Sequence, residues 1–259
     1  MPETLLDAAA AITAEAGRLA LDRWQDDYRR WEKEPGHPVC EIDLAVDLLL
    51  KHRLKALVPD AGWLSEETAD NDVRLGQTRV WVVDPIDGTR DYLRGRTGWC
   101  VSVALVEHGR VVLGVLDAPA RGQQWRAAAG QGATRNGTVL RASMRAELPG
   151  ARVPADTLPR IDGDLVPVPR PNSIALRIAM VAADEADLCA SIRWGHEWDI
   201  AAAALIAEEA GGTVTDALGV ALRYNSPRGE AFGLLASAPA LHTAAVARLS
   251  ERAHAARVR

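Results

Sequence analysis

Apolar residues recur at Leu5, Ala9, Ile12, Ala16 and Leu19, a spacing of three and four that predicts an amphipathic helix from Leu5 toward Trp31. Pro35-Gly36-His37-Pro38 interrupts the pattern. It resumes with Ile42, Val46, Leu49 or Leu50, Leu54 and Leu57, a second helix with Asp43 in its first turn and Pro59 at its close. The period then shortens. A short strand ends at Ser65-Glu66-Glu67, a polar loop runs through Asp70-Asn71-Asp72, and a strand from Thr78 carries the apolar run Val80-Trp81-Val82-Val83.

Val101 to Glu107 and Arg110 to Leu116 are β-rich and joined by His108-Gly109, which reads as a hairpin, and Asn136-Gly137 marks a second one. Residues 1–150 therefore predict two helices over an antiparallel sheet. The stretch from Ala151 to Pro171 is rich in Pro and Asp and reads as a loop or junction. Residues 151–259 then predict a smaller α/β unit. It has helices over Ile174–Ala183 and Ile200–Ala210, a strand pair, and a last Ala-rich helix from about Ala238 to Ala253. Gly211-Gly212 supplies the helix stop.

Composition narrows the class. The chain has 259 residues, 48% of them hydrophobic and 25% charged, enough for a sizeable core. A formal charge of −5 argues against a nucleic-acid surface, and no apolar run approaches a membrane span. Cys40, Cys100 and Cys189 form neither a zinc motif nor a disulfide framework, and Met1-Pro2-Glu3-Thr4 does not resemble a secretory signal, so a reducing cytoplasm is the expected setting.

The candidate chemistry centres on Asp84-Pro85-Ile86-Asp87-Gly88-Thr89. Pro85 cannot donate to a ladder, so the strand is expected to stop there. Gly88 then lets the backbone turn tightly and approach a ligand. Two carboxylates converging in an interior repel one another unless a cation sits between them. Hard oxygen donors of this kind suit Mg²⁺. The alternative reading is an ordinary Asp/Gly surface turn. Asp43, Glu66-Glu67 and Asp199 are further acidic segments able to meet it. Asp199, at the start of the helix after Glu197-Trp198, also reads as a plain N-cap.

Asp84 to Thr89, together with Trp198-Asp199, Ala201-Ala202 and Ala210-Gly211-Gly212, resembles the paired signature of the inositol monophosphatase superfamily. Ser65-Glu66-Glu67 lies upstream at the expected place, and Pro38 to Asp43 is similar to that family's Thr-Glu-x-Asp element. The resemblance implies a layered αβαβα sandwich and a homodimer. It also implies Mg²⁺-dependent hydrolysis of small phosphomonoesters with two or three ions per site. Carried onto this sequence, Glu66, Asp84, the Ile86 carbonyl, Asp87 and Asp199 match the metal ligands. Asp43 and Thr89 match the pair that orients and deprotonates the attacking water, and Glu67 supports them. The N–H groups of Gly88 and Thr89 match the phosphate cradle.

Inositol-specific members carry Thr-Asn-Phe after Gly-Thr, whereas this chain has Arg90-Asp91-Tyr92, more similar to bacterial 3′(2′),5′-bisphosphate nucleotidases, as is Ala118-Pro119-Ala120. Ser191 stands where the inositol enzymes place a glutamate. Arg193 is then a candidate for a second phosphate and Trp194 for a base, against readings as a solvated arginine and a core tryptophan. Arg90, Arg94 and Arg96 form a basic run beside the motif. The expected substrate is 3′-phosphoadenosine 5′-phosphate, followed by inositol-1-phosphate, then histidinol phosphate or a sugar phosphate. A non-catalytic phosphate-ligand-binding protein is the alternative of a different class.

Overall fold

Thr4 opens the first helix, α1 (Leu5–Asp22), by accepting the Asp7 amide on its hydroxyl at 3.1 Å. In a computed structural model that describes residues 4–34 and 37–257, this helix ends earlier than its apolar stripe suggests. Gln25 takes a left-handed φ of 74°, and the chain leaves the helix to form the antiparallel pair β1 (Arg30–Glu34) and β2 (His37–Cys40). The expected break at Pro35-Gly36 lies outside the described residues. Helix α2 (Glu41–Leu57) follows directly.

The central sheet joins β3 (Gly62–Ser65), β4 (Arg79–Asp87), then, past the short helix α3 (Thr89–Leu93), β5 (Cys100–Glu107), β6 (Arg110–Ala118), β7 (Gln123–Ala128), β8 (Ala133–Arg135) and β9 (Thr138–Val139), in sequence order. The sheet is mixed rather than wholly antiparallel, because β3 runs parallel to β4. Both expected hairpins are present, with φ of 49° and 74° at His108-Gly109 and 51° and 79° at Asn136-Gly137, the left-handed pair that a two-residue turn requires. The β4 run is apolar throughout because both of its faces are covered. Trp81 and Val83 pack under α1 and α2, while Val80 and Val82 face the opposite layer.

That layer is α4 (Ile174–Ala182) and α5 (Ala201–Glu209). Before it, the 151–171 stretch holds a small parallel pair, β10 (Arg152–Pro154) with β11 (Val166–Val168). A three-stranded sheet covers the far side of α4 and α5, in the order β12 (Leu188–His196), β14 (Glu230–Ser237), β13 (Thr213–Thr215). Helix α6 (His242–Arg257) closes the stack, starting later than expected because Pro239 to Leu241 form a 3₁₀ turn. The result is the αβαβα sandwich that the resemblance implies. Small side chains make the middle layer possible: Ala201 to Ala204 are all buried, and a Cβ on Gly114 would stand 2.7 Å from the Ala202 carbonyl oxygen. No helix among the described residues is long and apolar enough to cross a membrane.

Two further differences bear on function. Strand β4 does not stop at Pro85. Asp84 pairs with Ser102 and Asp87 with Cys100, so one extra residue forms a β-bulge there, and the missing Pro85 N–H is not needed in the ladder. The segment between α4 and α5 is an edge strand, β12, whose own register shift between Ser191 and Trp194 breaks the alternation that would have revealed it.

Candidate active site

Each acidic segment of the site is positioned by a different local device. Asp43 sits one turn into α2, is 1% exposed, and accepts the Cys40 amide at 2.8 Å and the Cys40 thiol at 2.9 Å on Oδ2. Burial, followed by the charge of Asp43, pushes the Cys40 thiol up to about 12, so it stays a proton donor. Thr89 Oγ1 lies 3.0 Å from the Ile86 carbonyl oxygen and 3.5 Å from Asp43 Oδ1; its single proton serves one of them at a time.

Glu66 and Glu67 follow the end of β3, where the Glu66 amide donates to the Val83 carbonyl at 3.3 Å. Their turn is tied to α2 by Asp47, which accepts the hydroxyls of Ser65 and Thr68 on its two carboxylate oxygens. Asp47 escaped the sequence reading. Its signal was its place one helical turn beyond Asp43 on the same face.

Within the β4 bulge, Asp84 Oδ1 accepts the Ile86 amide at 3.0 Å. Asp87 reaches the start of α4, accepting the Ser173 hydroxyl and the Ala175 amide on Oδ2 and the Ile174 amide on Oδ1. Burial raises its pKa to about 6, although those hydrogen bonds pull the other way. Asp199 does not act as an N-cap; Ile200 holds that place, and Asp199 Oδ2 instead accepts the His196 amide at 3.3 Å. Gly88 has φ of 96°, and a Cβ there would fall 2.6 Å from the Gly98 carbonyl oxygen, so glycine is required.

Asp84, Asp87 and Asp199 each bring an oxygen into one group whose members lie within 4.8 Å of one another. Asp84 is held well above the usual carboxylate range by burial and then by the charges of Glu66, Asp87, Asp199 and Asp43. Asp199 is raised as well, by burial, Asp87 and Glu66. Such a cluster is unfavourable without a counter-cation. Its donors are all oxygens, with no His or Cys among them, and so fit a hard divalent ion such as Mg²⁺.

The cleft over this cluster, about 280 Å³, is also lined by the Ile86, Gly88, Thr89 and Arg90 positions. Asp43 and Glu67 are set back from it. Of the Arg90-Asp91-Tyr92 triplet, Arg90 alone faces the cleft. Asp91 accepts the Asn172 amide at 3.1 Å, and Tyr92 is buried with its hydroxyl on the Ala20 carbonyl at 2.8 Å. Arg94 and Arg96 are exposed and line no part of it.

A larger cavity of about 530 Å³ adjoins the cleft, and Arg170, Ile174, Arg177 and Asp199 border both. Arg193 and Trp194 lie on its far wall, next to the β12 bulge. Trp194 is 36% exposed and packs edge-on against Phe232 at 5.4 Å, so it is neither a core tryptophan nor wholly free of one. Arg177 is braced by the backbone carbonyls of Pro171 and Asn172. Arg170, Ser173 and Arg177 were absent from the sequence reading; only Asn172-Ser173 before an apolar helix hinted at a cap.

Residues 1–255 match the Inositol monophosphatase family. The chain is 31% identical over 235 residues to inositol monophosphatase 2 of Solanum lycopersicum, covering 84% of this chain and 89% of that protein. It is 32% identical over 227 residues to a histidinol-phosphatase of Chlorobaculum parvum, covering 82% and 85%. Its fold superposes on the IMPase of Thermotoga maritima with a TM-score of 0.82 at 28% identity, covering 97% and 98%. With an acidic cleft of this build and a match of that extent, the chain belongs to the inositol monophosphatase family. The family's members are metal-dependent phosphatases that act on small phosphorylated metabolites, so this chain is a phosphoric monoester hydrolase.

Proposed function

We propose that this chain is a Mg²⁺-dependent phosphatase for substrates whose leaving group carries a second anion, of the 3′-phosphoadenosine 5′-phosphate type. One observation carries the reading: the cavity beside the cleft is bordered by Arg170, Arg177 and Arg193, and among the described residues lining it Asp199, shared with the cleft, is the sole carboxylate. A guanidinium group recognises phosphate strongly and repels a cation. Histidinol phosphate, whose ester is cleaved by the relative from Chlorobaculum parvum, presents an ammonium group that this cavity has little to pair with. Inositol-1-phosphate, suggested by the tomato relative, presents hydroxyls without charge. Trp194 offers an indole face on which a base can stack.

In this reading Glu66, Asp84, the Ile86 carbonyl, Asp87 and Asp199 would hold two or three Mg²⁺ ions. Bound there, such ions would supply Lewis acidity. The protein's own groups do the rest. The Gly88 and Thr89 N–H groups, at the start of α3, cradle the phosphate. Asp43 and Thr89 orient water and accept its proton as a new O–P bond forms opposite the breaking ester bond. Glu67 stands behind them. The ester oxygen leaves as an alcohol, taking a proton from solvent water, Asp43 returns to solvent the one it accepted, and inorganic phosphate remains. No side-chain nucleophile takes part.

A phosphate-release panel with Mg²⁺ tests this, comparing the bisphosphate nucleotide, inositol-1-phosphate and histidinol phosphate. The nucleotide is expected to lead by at least about tenfold in kcat/KM, equal to about 1.4 kcal/mol of transition-state preference. A lead of that size for either competitor refutes the substrate assignment, and no release from any phosphomonoester, sugar phosphates included, refutes the phosphatase reading.

A further inference from the structure

Glu66 and Asp199 both border the acidic cleft, and each follows an edge strand. Glu66 follows β3, the edge of the seven-stranded sheet, and Asp199 follows β12, the edge of the three-stranded one. A sheet ladder holds an edge strand from one side only. A separate device spans the gap between them.

Arg74 is 1% exposed, lies eight residues beyond Glu66, and spends all five of its N–H donors. Nε and Nη2 donate to the Asp70 carboxylate at 2.7 Å each. Nη1 donates to the Asn225 side-chain carbonyl at 2.6 Å and to the Ser226 carbonyl at 3.0 Å, and Nη2 also reaches the Pro227 carbonyl at 3.3 Å. Asn225 returns a bond from Nδ2 to the Arg74 carbonyl at 3.2 Å. On the other side of the same loop, Glu197 is fully buried and accepts the amides of Asn225 at 2.6 Å and Ser226 at 2.9 Å. Its own amide donates to Gly229 at 2.8 Å, and its carbonyl accepts the amides of Ile200 and Ala201, the turn that carries Asp199.

We propose that Arg74, Asn225 and Glu197 form a clamp of positioning residues that sets the spacing between Glu66 and Asp199, and through it the affinity of the site for its divalent ion. The inference rests on the metal-dependent phosphatase reading above. It follows from the connectivity: the 225–229 loop bonds to Arg74, in the segment that follows Glu66, and to Glu197, two residues before Asp199, and a fully used guanidinium and a fully buried carboxylate hold its two sides. Groups that orient metal ligands without touching the metal are worth about 10- to 100-fold in affinity.

The test uses the full chain, with Mg²⁺ as the probe. Asn225 has φ of 62°, so Asn225→Gly removes the side chain without straining the backbone. Asn225→Asp keeps the acceptor for Arg74, and Arg74→Lys keeps the charge but loses the fork. Calorimetric titration is expected to show Mg²⁺ binding weakened about tenfold in Asn225→Gly and Arg74→Lys, and no more than about twofold in Asn225→Asp. KM for the phosphorylated substrate at saturating Mg²⁺ stays at the wild-type value. A lowered Tm with Mg²⁺ affinity within about twofold of wild type in Asn225→Gly overturns the clamp as a positioning device. If Arg74→Lys fails to fold, Asn225→Gly decides. Wild-type protein that neither binds Mg²⁺ nor releases phosphate overturns the phosphatase reading itself, a result distinguishable from failure of the clamp alone.

Discussion

The acidic cleft and the arginine-bordered cavity beside it share a wall, yet they are built in opposite ways. The cleft draws its carboxylates from one bulged strand and from segments immediately after β3 and before α5, and Asp84, Asp87 and Asp199 among them are held by backbone amides or a hydroxyl. The cavity draws its cations from a loop, from the middle of α4 and from the bulge in an edge strand. The first is a preorganised cluster whose like charges raise one another's pKa. The second gathers like charges of the opposite sign, spread over three separate elements. Such a division lets one hydrolytic centre serve different leaving groups, since the chemistry and the recognition occupy separate elements.

Removing a charge from the cluster gives the largest expected effect. Asp84→Asn should lower phosphate release on the order of 10³-fold, because the hydrolysis depends on charge placed at the phosphoryl group. The same substitution removes a repelling carboxylate and should raise Tm in EDTA, measured by calorimetry. Activity within about tenfold of wild type would show that the cleft is not the reaction centre.

A buried carboxylate outside that cluster provides the contrast. Asp117 is raised to about 6, by burial first, with Gln124 donating to it at 3.1 Å. The unfolded chain, with its carboxyl near 3.8, gives up the proton at lower pH than the folded one. Stability from this group therefore falls as pH rises from about 4 to about 6 and stays reduced above that. Asp117→Asn keeps the acceptor for Gln124 and should stabilise by roughly 1–3 kcal/mol at about pH 7.5, with little gain at about pH 4 and no change in phosphate release. Urea unfolding at the two pH values checks the sign; equal effects at both would remove burial of the charged form as the cause.

The smallest effect sharpens the other side of the comparison. Arg193→Ala should lower kcat/KM for the bisphosphate nucleotide about tenfold and leave a monophosphate without a second anion within about twofold. An equal loss on both substrates would place Arg193 outside recognition of the leaving group.

The two regions also differ in how far the amino-acid order reveals them. Asp84 to Thr89 is a local motif, and its strand, turn and glycine all lie within one short stretch. Helix α2 and both hairpins were likewise legible, because their periodicity and turn residues are local. Strand β12 was not, since its register shift erases the alternation, and α1 outran its true end because nothing local marks Gln25 as left-handed. Arg170 and Arg177 gave no sign, since their meeting with Asp199 depends on the packing of α4 against β12.

The bulge at Pro85 has one last consequence, a matter of parity. In an unbroken strand, residues three apart point to opposite faces, so Asp84 and Asp87 would look away from each other across the sheet. Their pairing with Ser102 and Cys100 leaves one residue out of count, an odd step becomes an even one, and both carboxylates arrive on the same side. A single uncounted residue thus turns the end of an ordinary strand into a chelating turn while the ladder on either side of it remains intact.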